Sequence, residues 1–495
     1  MKKVFTRAEL LRDEVGTFAP EAAGRVRVAL CYPNSYAVGM ANLGFQTIYR
    51  LLNEREDVVC ERVFTDGGTP GRTLESDTPL GEMDVIAFSI SFELDYPNVL
   101  RVLLAAGITP YASERRGPRV IAGGATMSYN PEPLAPFLDA VLVGEAEEAL
   151  GPLFDALLAG KSTAGLPGVY VPAEPGTVTR QRVDDLSAQQ AYTQVYSPHS
   201  EFGNMTLIEV GRGCPYGCRF CVASHCYRPA RWRSMESMLP IIQNGLLQRK
   251  RVGLIGASVT DHPQIIPLCE EILRLGGEPS PASMRADALT PELLALLARG
   301  GTRSITLAPE TGREELRRGV GKHMTDASLF AAVQRARAVG INHVKLYFII
   351  GLPGETEEDV AAIPELALRL AKETGARVSL GCSAFVPKPG TPFARMPMAA
   401  EKENRRKLES ITRALRGRMD YTHESARWAA WQGVLARGDR ALAPALLDIA
   451  AAPDTPAAWR TAFRAHGIDP EQYSTRMFPA DETLAWDFIK VPTNK

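Results

Sequence analysis

The sequence predicts an α/β protein in three parts: a doubly wound N-terminal domain, a (β/α) barrel, and a helical C-terminal region. Continuous apolar segments alternate with helical patterns in the first two parts, as in parallel sheets that are covered on both faces. Strand–helix units then recur about every 40 residues, which suits a barrel. Charged helical patterns and four of the five tryptophans occupy the last part.

The composition excludes several classes of protein. With 56 Lys+Arg against 57 Asp+Glu, the net charge of −1 argues against a nucleic-acid coat protein, although a local basic patch leaves a nucleic-acid partner open. The 45% hydrophobic and 23% charged residues exclude wholesale disorder. Because there is no run of 18 apolar residues and no apolar signal segment, we expect no membrane partner and a cytoplasmic location.

The N-terminal domain is predicted over residues 1–165, with a turn-rich connector at 166–200. Its five predicted strands are 26–32, 57–64, 83–91, 118–124 and 139–145. Ligands of such Rossmann-like sheets bind at the carboxyl ends of the strands. The candidate ligand residues at those ends are Asn34, Ser35, Tyr36, Ser89, Ser91, Gly123, Gly124 and Gly144.

A TIM-type barrel, partial or full, is predicted over residues 201–400, followed by a helical domain at 401–495. The predicted barrel strands are 207–213, 252–258, 304–310, 343–355 and 377–390. In such barrels the catalytic groups lie on the loops that follow the strands.

Four of the eight cysteines fall within thirteen residues, directly after the first barrel strand. Cys214, Cys218 and Cys221 form a CxxxCxxC pattern, and three thiolates can hold three irons of a cubane while the fourth iron stays open. The alternative is a zinc site with Cys226 or His225 as the fourth ligand. Thiols clustered in this way suit a reducing cytoplasm.

The segment GRGCPYGCRFCVASHCYRPARWRS resembles the cluster-binding loop of the radical S-adenosylmethionine (SAM) superfamily, with Phe220 matching the aromatic residue before the third cysteine. The resemblance implies an enzyme that holds a [4Fe-4S] cluster on Cys214, Cys218 and Cys221. The cluster would bind SAM at its open iron and cleave it reductively, so that a 5′-deoxyadenosyl radical starts chemistry on an unknown substrate. It also implies a reductant such as flavodoxin or ferredoxin.

Segments downstream occupy the positions of the superfamily's SAM contacts, namely GLIGASVTDHP, SMRAD, TLAPETG and YFIIGLPGETEED. Glu310 has an alternative role as an acid near a helix N-terminus. The implied SAM contacts are Phe220, Gly256, Ala257, Ser258, Ser283, Arg285, Glu310, Gly351, Leu352 and Pro353. Cys226 is either a buried thiol or a reactive group near the substrate, which makes it the candidate catalytic residue. Lys388, in FVPKPGTPF, is either a substrate contact or solvated.

The N-terminal domain resembles the cobalamin-binding domain of the cobalamin-dependent branch, but the DxHxxG motif is absent and no histidine precedes His199. The domain therefore either binds cobalamin without a histidine ligand or keeps the fold and binds substrate or SAM. The whole layout resembles a subfamily of uncharacterised bacterial radical SAM proteins, in which the residue at Gly390 is often histidine.

Three alternative functions remain open at this level. The first is a cobalamin-dependent radical SAM methyltransferase. The second is methylthiotransferase-like modification of RNA or protein, which usually needs three further N-terminal cysteines, whereas only Cys31 and Cys60 are present. The third is a non-enzymatic, zinc-stabilised interaction or RNA-binding module.

Overall fold

The computed structural model describes residues 5–18, 23–67 and 71–492, and its first part is a six-stranded sheet. The strands are β1 (Val26–Cys31), β2 (Val58–Val63), β3 (Val85–Ser89), β4 (Arg119–Gly123), β5 (Ala140–Leu142) and β6 (Val169–Tyr170). The helices are α1 (Arg7–Arg12), α2 (Tyr36–Gly39), α3 (Leu43–Asn53), α4 (Tyr96–Ala105) and α5 (Leu150–Leu158). The strand order is β2-β1-β3-β4-β5-β6, and only β6 runs antiparallel to its neighbour.

The alternation of side chains along these strands explains why both faces of the sheet are covered. In β1, Val28 and Leu30 pack with α3 and α5, whereas Ala29 and Cys31 pack with α4. This arrangement confirms the predicted doubly wound domain. The connector contributes β7 (Val178–Thr179), and the stretch after it pairs Gln181 with Gly144 at the end of the sheet.

The second part contains the strands β8 (Met205–Glu209), β9 (Gly211–Arg212), β10 (Arg231–Trp232), β11 (Arg251–Ile255), β12 (Glu278–Pro281), β13 (Ser304–Glu310), β14 (His343–Ile350) and β15 (Arg377–Ala384), of which β9 and β10 pair only with each other. Its helices are α6 (Val222–His225), α7 (Met235–Leu246), α8 (Ile265–Arg274), α9 (Pro291–Arg299), α10 (Glu314–Gly319), α11 (Asp326–Ala338) and α12 (Glu357–Thr374). The last part contains α13 (Glu401–Leu415), β16 (Asp420–His423), α14 (Ala426–Arg437), α15 (Ala443–Ala451), α16 (Pro456–Ala465), α17 (Pro470–Ser474) and β17 (Ile489–Lys490).

The barrel is built from two parallel arcs, β12-β11-β8 and β13-β14-β15-β16, whose outward faces share one hydrophobic core with the surrounding helices. Two of its strands were not predicted. β12 has the sequence EPSP and β16 the sequence DYTH, so neither carries the apolar run that marks a buried strand. The predicted strand 207–213 is interrupted at Val210, where β8 ends before the short β9 begins.

The last part is divided between the two sheets. Helix α13 and strand β16 belong to the barrel, whereas Trp431, Leu446 and Trp459 of α14–α16 pack with α4 against the first sheet. The predicted domain bounds stay a prediction. Strand β6 nevertheless lies inside the predicted connector, and the predicted helical domain is divided, with β16 in the barrel sheet and these helices against the first sheet. Within the described ranges, no helix combines the length and the apolar character that crossing a membrane requires.

Candidate active site at the barrel mouth

The cysteine loop is closed at its base by the antiparallel pair β9–β10, which matches Arg212 with Arg231. Gly213 begins the loop with a φ of +79°, and a Cβ there would collide with the carbonyl oxygen of Tyr227. All three motif cysteines are free thiols; Cys218 is buried, and Cys214 and Cys221 are half-buried. The loop therefore presents three sulfur donors within eight residues.

The three thiols interact electrostatically. Burial raises the pKa of Cys218 to about 11, nearby Lys322 opposes this rise, and Cys221 and Cys214 add to it. Iron binding deprotonates a coordinating thiol outright, so burial does not prevent ligation.

Donor chemistry decides which group these residues fit. No set of three or more His, Cys, Asp or Glu side chains in the described ranges is arranged to hold one metal ion. Nε2 of His225 lies 3.1 Å from the carbonyl oxygen of Cys218, and Sγ of Cys226 lies 3.8 Å from that of Pro389. The two residues predicted as a fourth zinc ligand are thus engaged elsewhere. Three thiols on one loop match the donor set of an iron–sulfur cluster that leaves one iron open.

A polar network ties two predicted SAM contacts to the cysteine loop. The Arg285 guanidinium stacks 3.5 Å from the ring centroid of Tyr216, a loop residue that the sequence interpretation missed. The Tyr216 hydroxyl donates to Asp261 at 2.6 Å, and the Ser258 hydroxyl donates to the same carboxylate. Asp261 was also missed, although it is the first acidic side chain after the GAS segment.

A second network shapes the loop that contains Gly256, Ala257 and Ser258. The Ser283 hydroxyl donates to the carbonyl oxygen of Gly256 at 2.9 Å and accepts from the amide of Val259 at 3.1 Å. A Cβ on Gly256 would lie 3.0 Å from the carbonyl oxygen of Gly211, so this loop packs closely on the start of the cysteine loop.

Glu310 ends β13 in a left-handed conformation, with a φ of +70° at a break in register with β14. Nζ of Lys322 lies 3.1 Å from its carboxylate, and the carbonyl oxygen of neighbouring Gly321 lies 3.7 Å from Sγ of Cys218. Burial raises the pKa of Glu310, and Lys322 opposes that rise. Helix α10 begins four residues later, after Arg313, so Glu310 does not cap it. Lys322 was missed because it lies twelve residues away in sequence.

The GLPG segment joins the same region through a small hydrophobic cluster. Leu352 is buried with Phe385 and Phe393, and Phe220 of the cysteine loop packs against them. The Gly351 amide donates to Glu355 at 2.8 Å, and Glu355 pairs with Lys407 of α13 at 2.9 Å. The structure thus brings the three cysteines and nine of the ten predicted SAM contacts into packed or hydrogen-bonded segments around one loop. For the tenth, Ala257, it shows only an exposed position between Gly256 and Ser258.

A cavity of about 280 Å³ lies at the carboxyl edge of the first sheet. Five of the predicted ligand residues line it, namely Ser89, Ser91, Gly123, Gly124 and Gly144. Barrel residues close its other side, namely Glu209, Arg212 and Tyr227. The remaining predicted residues are not brought to it. Asn34 donates to Asp95 at 2.8 Å, Ser35 precedes α2, and the Tyr36 hydroxyl donates to Glu14 at 2.5 Å.

Buried ion pairs connect the first sheet to the barrel. Arg212 pairs with Glu145, Glu147 and Glu209, and Arg231 pairs with Glu145 at 2.7 Å. Lys388 pairs with Glu93, which also accepts from Tyr129 and Gln432. Lys388 is therefore held in an ion pair within the chain and is not a free, solvated side chain.

Cys226 lies inside this interface and is 6% exposed. Burial raises the pKa of its thiol, and nearby Arg180 opposes that rise. A Cβ on Gly390 would lie 2.8 Å from the Cys226 sulfur, so the glycine leaves the space that the thiol fills.

Two parts of the chain match known family models. Residues 208–367 match the family model of the radical SAM superfamily, and residues 44–172 match that of the N-terminal region of radical SAM proteins. An uncharacterised protein of Methanocaldococcus jannaschii is 30% identical over 423 residues, which are 84% of this chain and 89% of that protein. The chain belongs to the radical SAM superfamily.

Two solved radical SAM structures share the fold. The methyltransferase TsrM from Kitasatospora setae, with cobalamin and a [4Fe-4S] cluster bound, has a TM-score of 0.53 and 17% identity over 76% of this chain and 80% of that chain. The cobalamin-dependent enzyme OxsB, with aqua-cobalamin and SAM bound, has a TM-score of 0.57 and 14% identity over 89% of this chain and 70% of that chain.

This radical SAM protein is accordingly an enzyme that uses a [4Fe-4S] cluster and SAM. Its architecture is the expected one, with the cysteine loop following the first barrel strand.

Proposed function

We propose that Cys214, Cys218 and Cys221 hold the cluster and that the surrounding segments bind SAM. The single observation that carries the proposal is that Ser258, Arg285, Glu310 and the GLPG segment all reach one loop with three free thiols. When bound, the cluster supplies the electron that cleaves the sulfonium bond of SAM.

The chain's own residues position these groups. Asp261 and Arg285 fix Tyr216 and thereby the backbone between Cys214 and Cys218. Glu310 and Lys322 place opposite charges beside Cys218, where the carboxylate and ammonium groups of SAM need partners. The Gly351 backbone, held by Glu355, suits a close approach to adenine.

The test is anaerobic reconstitution with iron and sulfide, followed by reduction with dithionite in the presence of SAM. We expect about four irons per chain by the cubane stoichiometry and formation of 5′-deoxyadenosine. Cys269→Ala, which removes a thiol in the α8 core, is the control and should retain iron. A colourless wild-type protein that binds zinc without sulfide would overturn the proposal.

A second candidate, cobalamin-dependent methyl transfer, is favoured by the position of the cavity at the carboxyl edge of the first sheet, although its volume of about 280 Å³ can take only part of a corrinoid. Two proteins of similar fold, TsrM and OxsB, have cobalamin bound. With no histidine before His199, glycines and apolar side chains would have to hold the ligand.

Hydroxocobalamin binding tests this candidate. Ala125 lines the cavity, so Ala125→Trp should fill it and abolish the visible spectrum of bound corrinoid. Ala112→Trp, in a separate groove, should leave that spectrum unchanged. Formation of S-adenosylhomocysteine would identify methyl transfer. If wild-type protein binds no hydroxocobalamin, the candidate fails.

Methylthiotransferase activity is less well supported, because Cys31 and Cys60 are buried inside β1 and β2 and cannot form a second cluster site. We further propose a flavodoxin or ferredoxin as electron donor and a cytoplasmic location. A reducing compartment keeps the three thiols of the cysteine loop available for iron.

A further inference from the structure

The GLPG segment packs against α13, a helix from the last part of the chain. Gly351 has a φ of +74°, and a Cβ there would lie 2.6 Å from Oδ1 of Asn404 and 3.2 Å from Cβ of Ala399. The Asn404 side chain is fully buried, and its Nδ2 donates to the carbonyl oxygen of Ala399 at 3.0 Å. The backbone conformation and this close contact both require glycine, so the position of Gly351 depends on where α13 lies.

A buried ion pair is the second link between α13 and the same glycine. The side chains of Lys407 and Glu355 are 4% and 2% exposed, and Nζ of the lysine lies 2.9 Å from Oε1 of the carboxylate. That same oxygen accepts from the Gly351 amide at 2.8 Å. Burial raises the pKa of Glu355, and Lys407 and the Gly351 amide oppose that rise. Lys407 thus stabilises the charged form of the group that holds Gly351.

These polar contacts are not needed to attach α13 to the barrel. Leu408, Ile411 and Leu415 already anchor the helix in the barrel core. Yet Oδ1 of Asn404 is buried without a donor in the described part of the chain, and the Lys407 ammonium is withdrawn from water. Burying such groups costs free energy, and both of them lie behind the GLPG segment. Their placement therefore favours a role in positioning that segment.

We propose that Lys407 is a positioning residue for SAM, acting through Glu355 on the backbone of Gly351. This inference rests on the proposed function, in which that backbone approaches adenine. The ion-pair partners of Lys407 in the described ranges are Glu355 and Glu403, neither of which belongs to the cysteine loop. Lys407 therefore sets the affinity for SAM without setting cluster content or the rate at saturating SAM.

The experiment compares Lys407→Met with the matched control Glu403→Gln. Glu403 pairs with the same ammonium group at 2.7 Å, but its side chain is 47% exposed. Because Lys407→Met also leaves a buried carboxylate without its cation, the double variant Lys407→Met/Glu355→Gln is included. Its uncharged glutamine can still accept from the Gly351 amide.

The measurements use the reconstituted full chain at a temperature where every variant is folded. Formation of 5′-deoxyadenosine with dithionite is followed against SAM concentration, which gives KM and kcat separately. Iron content, melting temperature and direct SAM binding by equilibrium dialysis are measured on the same samples.

We expect Lys407→Met to raise the KM for SAM about tenfold, with kcat within about twofold of wild type and iron content unchanged. The control should stay within about twofold of the wild-type KM, and the double variant should recover most of the increase.

A lower melting temperature with an unchanged KM in Lys407→Met would show a purely structural role and overturn the inference. Loss of iron in that variant, or an equal rise in KM for Glu403→Gln, would overturn it as well. Absence of product in wild type would overturn the proposed function instead, while SAM binding by dialysis still decides whether Lys407 positions the loop.

Discussion

At the carboxyl edge of the barrel the chain presents three free thiols, whereas at the carboxyl edge of the first sheet its polar side chains pair with one another. Asn42 donates to Ser91 at 3.2 Å, and Arg212 is surrounded by three carboxylates. Gly124 and Gly144 are needed there by the chain itself, since a Cβ on either would collide with the backbone of Ile90 or Gln181.

This difference shows that the carboxyl edge of a parallel sheet serves ligand binding in one part of the chain and internal packing in the other. The barrel mouth keeps three thiols that can act as metal ligands, and thiolate ligands favour an iron–sulfur cofactor. In the first sheet the polar groups are paired within the chain. Its cavity therefore restricts the shape of a ligand but does not select its chemistry.

The largest expected effect is loss of the cysteine ligands at the barrel mouth. Cys214→Ala, Cys218→Ala or Cys221→Ala should each abolish 5′-deoxyadenosine formation, because the cluster loses an iron ligand. Cys226→Ala should retain iron and at least part of the activity, since this buried thiol lies against Pro389 and Gly390. Iron analysis and product quantification check both. Loss of iron in the Cys226 variant would contradict the assignment.

The next effect concerns the contact between the two regions. Lys388→Met leaves the Glu93 carboxylate buried without its cation and should lower the free energy of unfolding by about 3 kcal/mol. Burial alone would raise the pKa of Glu93, but Lys388 and its hydrogen-bond donors hold it below the usual range. Adding Glu93→Gln should recover part of the loss in denaturant unfolding. An unchanged stability would show that the pair does not join the regions.

A smaller effect concerns the hydrogen bond between Asp261 and Tyr216 at the barrel mouth. Asp261→Asn weakens the hold on Tyr216 and should lower cluster affinity or activity about tenfold. Asp287→Asn is the matched control, because Asp287 pairs with the same Arg285 at 2.7 Å but has no contact with Tyr216 in the network described above. Equal effects of the two substitutions, read from iron content and product, would count against a positioning role for Asp261.

The last effect, a dependence of stability on pH, lies in the first sheet. Burial raises the pKa of Asp95 to about 7, with Glu93 adding to the rise and Asn34 and Asn98 opposing it. A carboxyl with a raised folded pKa binds more protons when folded, so stability falls as pH rises from about 4 to 7, by at most about 1.4 kcal/mol per pH unit. Asp95 also faces Tyr32. Asp95→Asn should flatten this slope in unfolding measurements at several pH values, and an unchanged slope would assign it to other groups.

Much of the site was predictable from local sequence. The CxxxCxxC loop, Ser258, Arg285, Glu310 and GLPG stand in chain order after successive strands, and each lies within one segment. Tyr216, Asp261 and Lys322 were not predicted, because their roles depend on contacts between segments that are 12–69 residues apart, as in the Tyr216–Arg285 stack.

The sequence by itself determined the two parallel sheets and the three thiols, since apolar runs and ligand spacing are local properties of the chain. Only the tertiary structure decided that α14–α16 complete the first domain, that β16 extends the barrel, and that Lys388 pairs with buried Glu93. Such pairings depend on which surfaces remain uncovered once both sheets have formed, and that information is distributed over the whole chain.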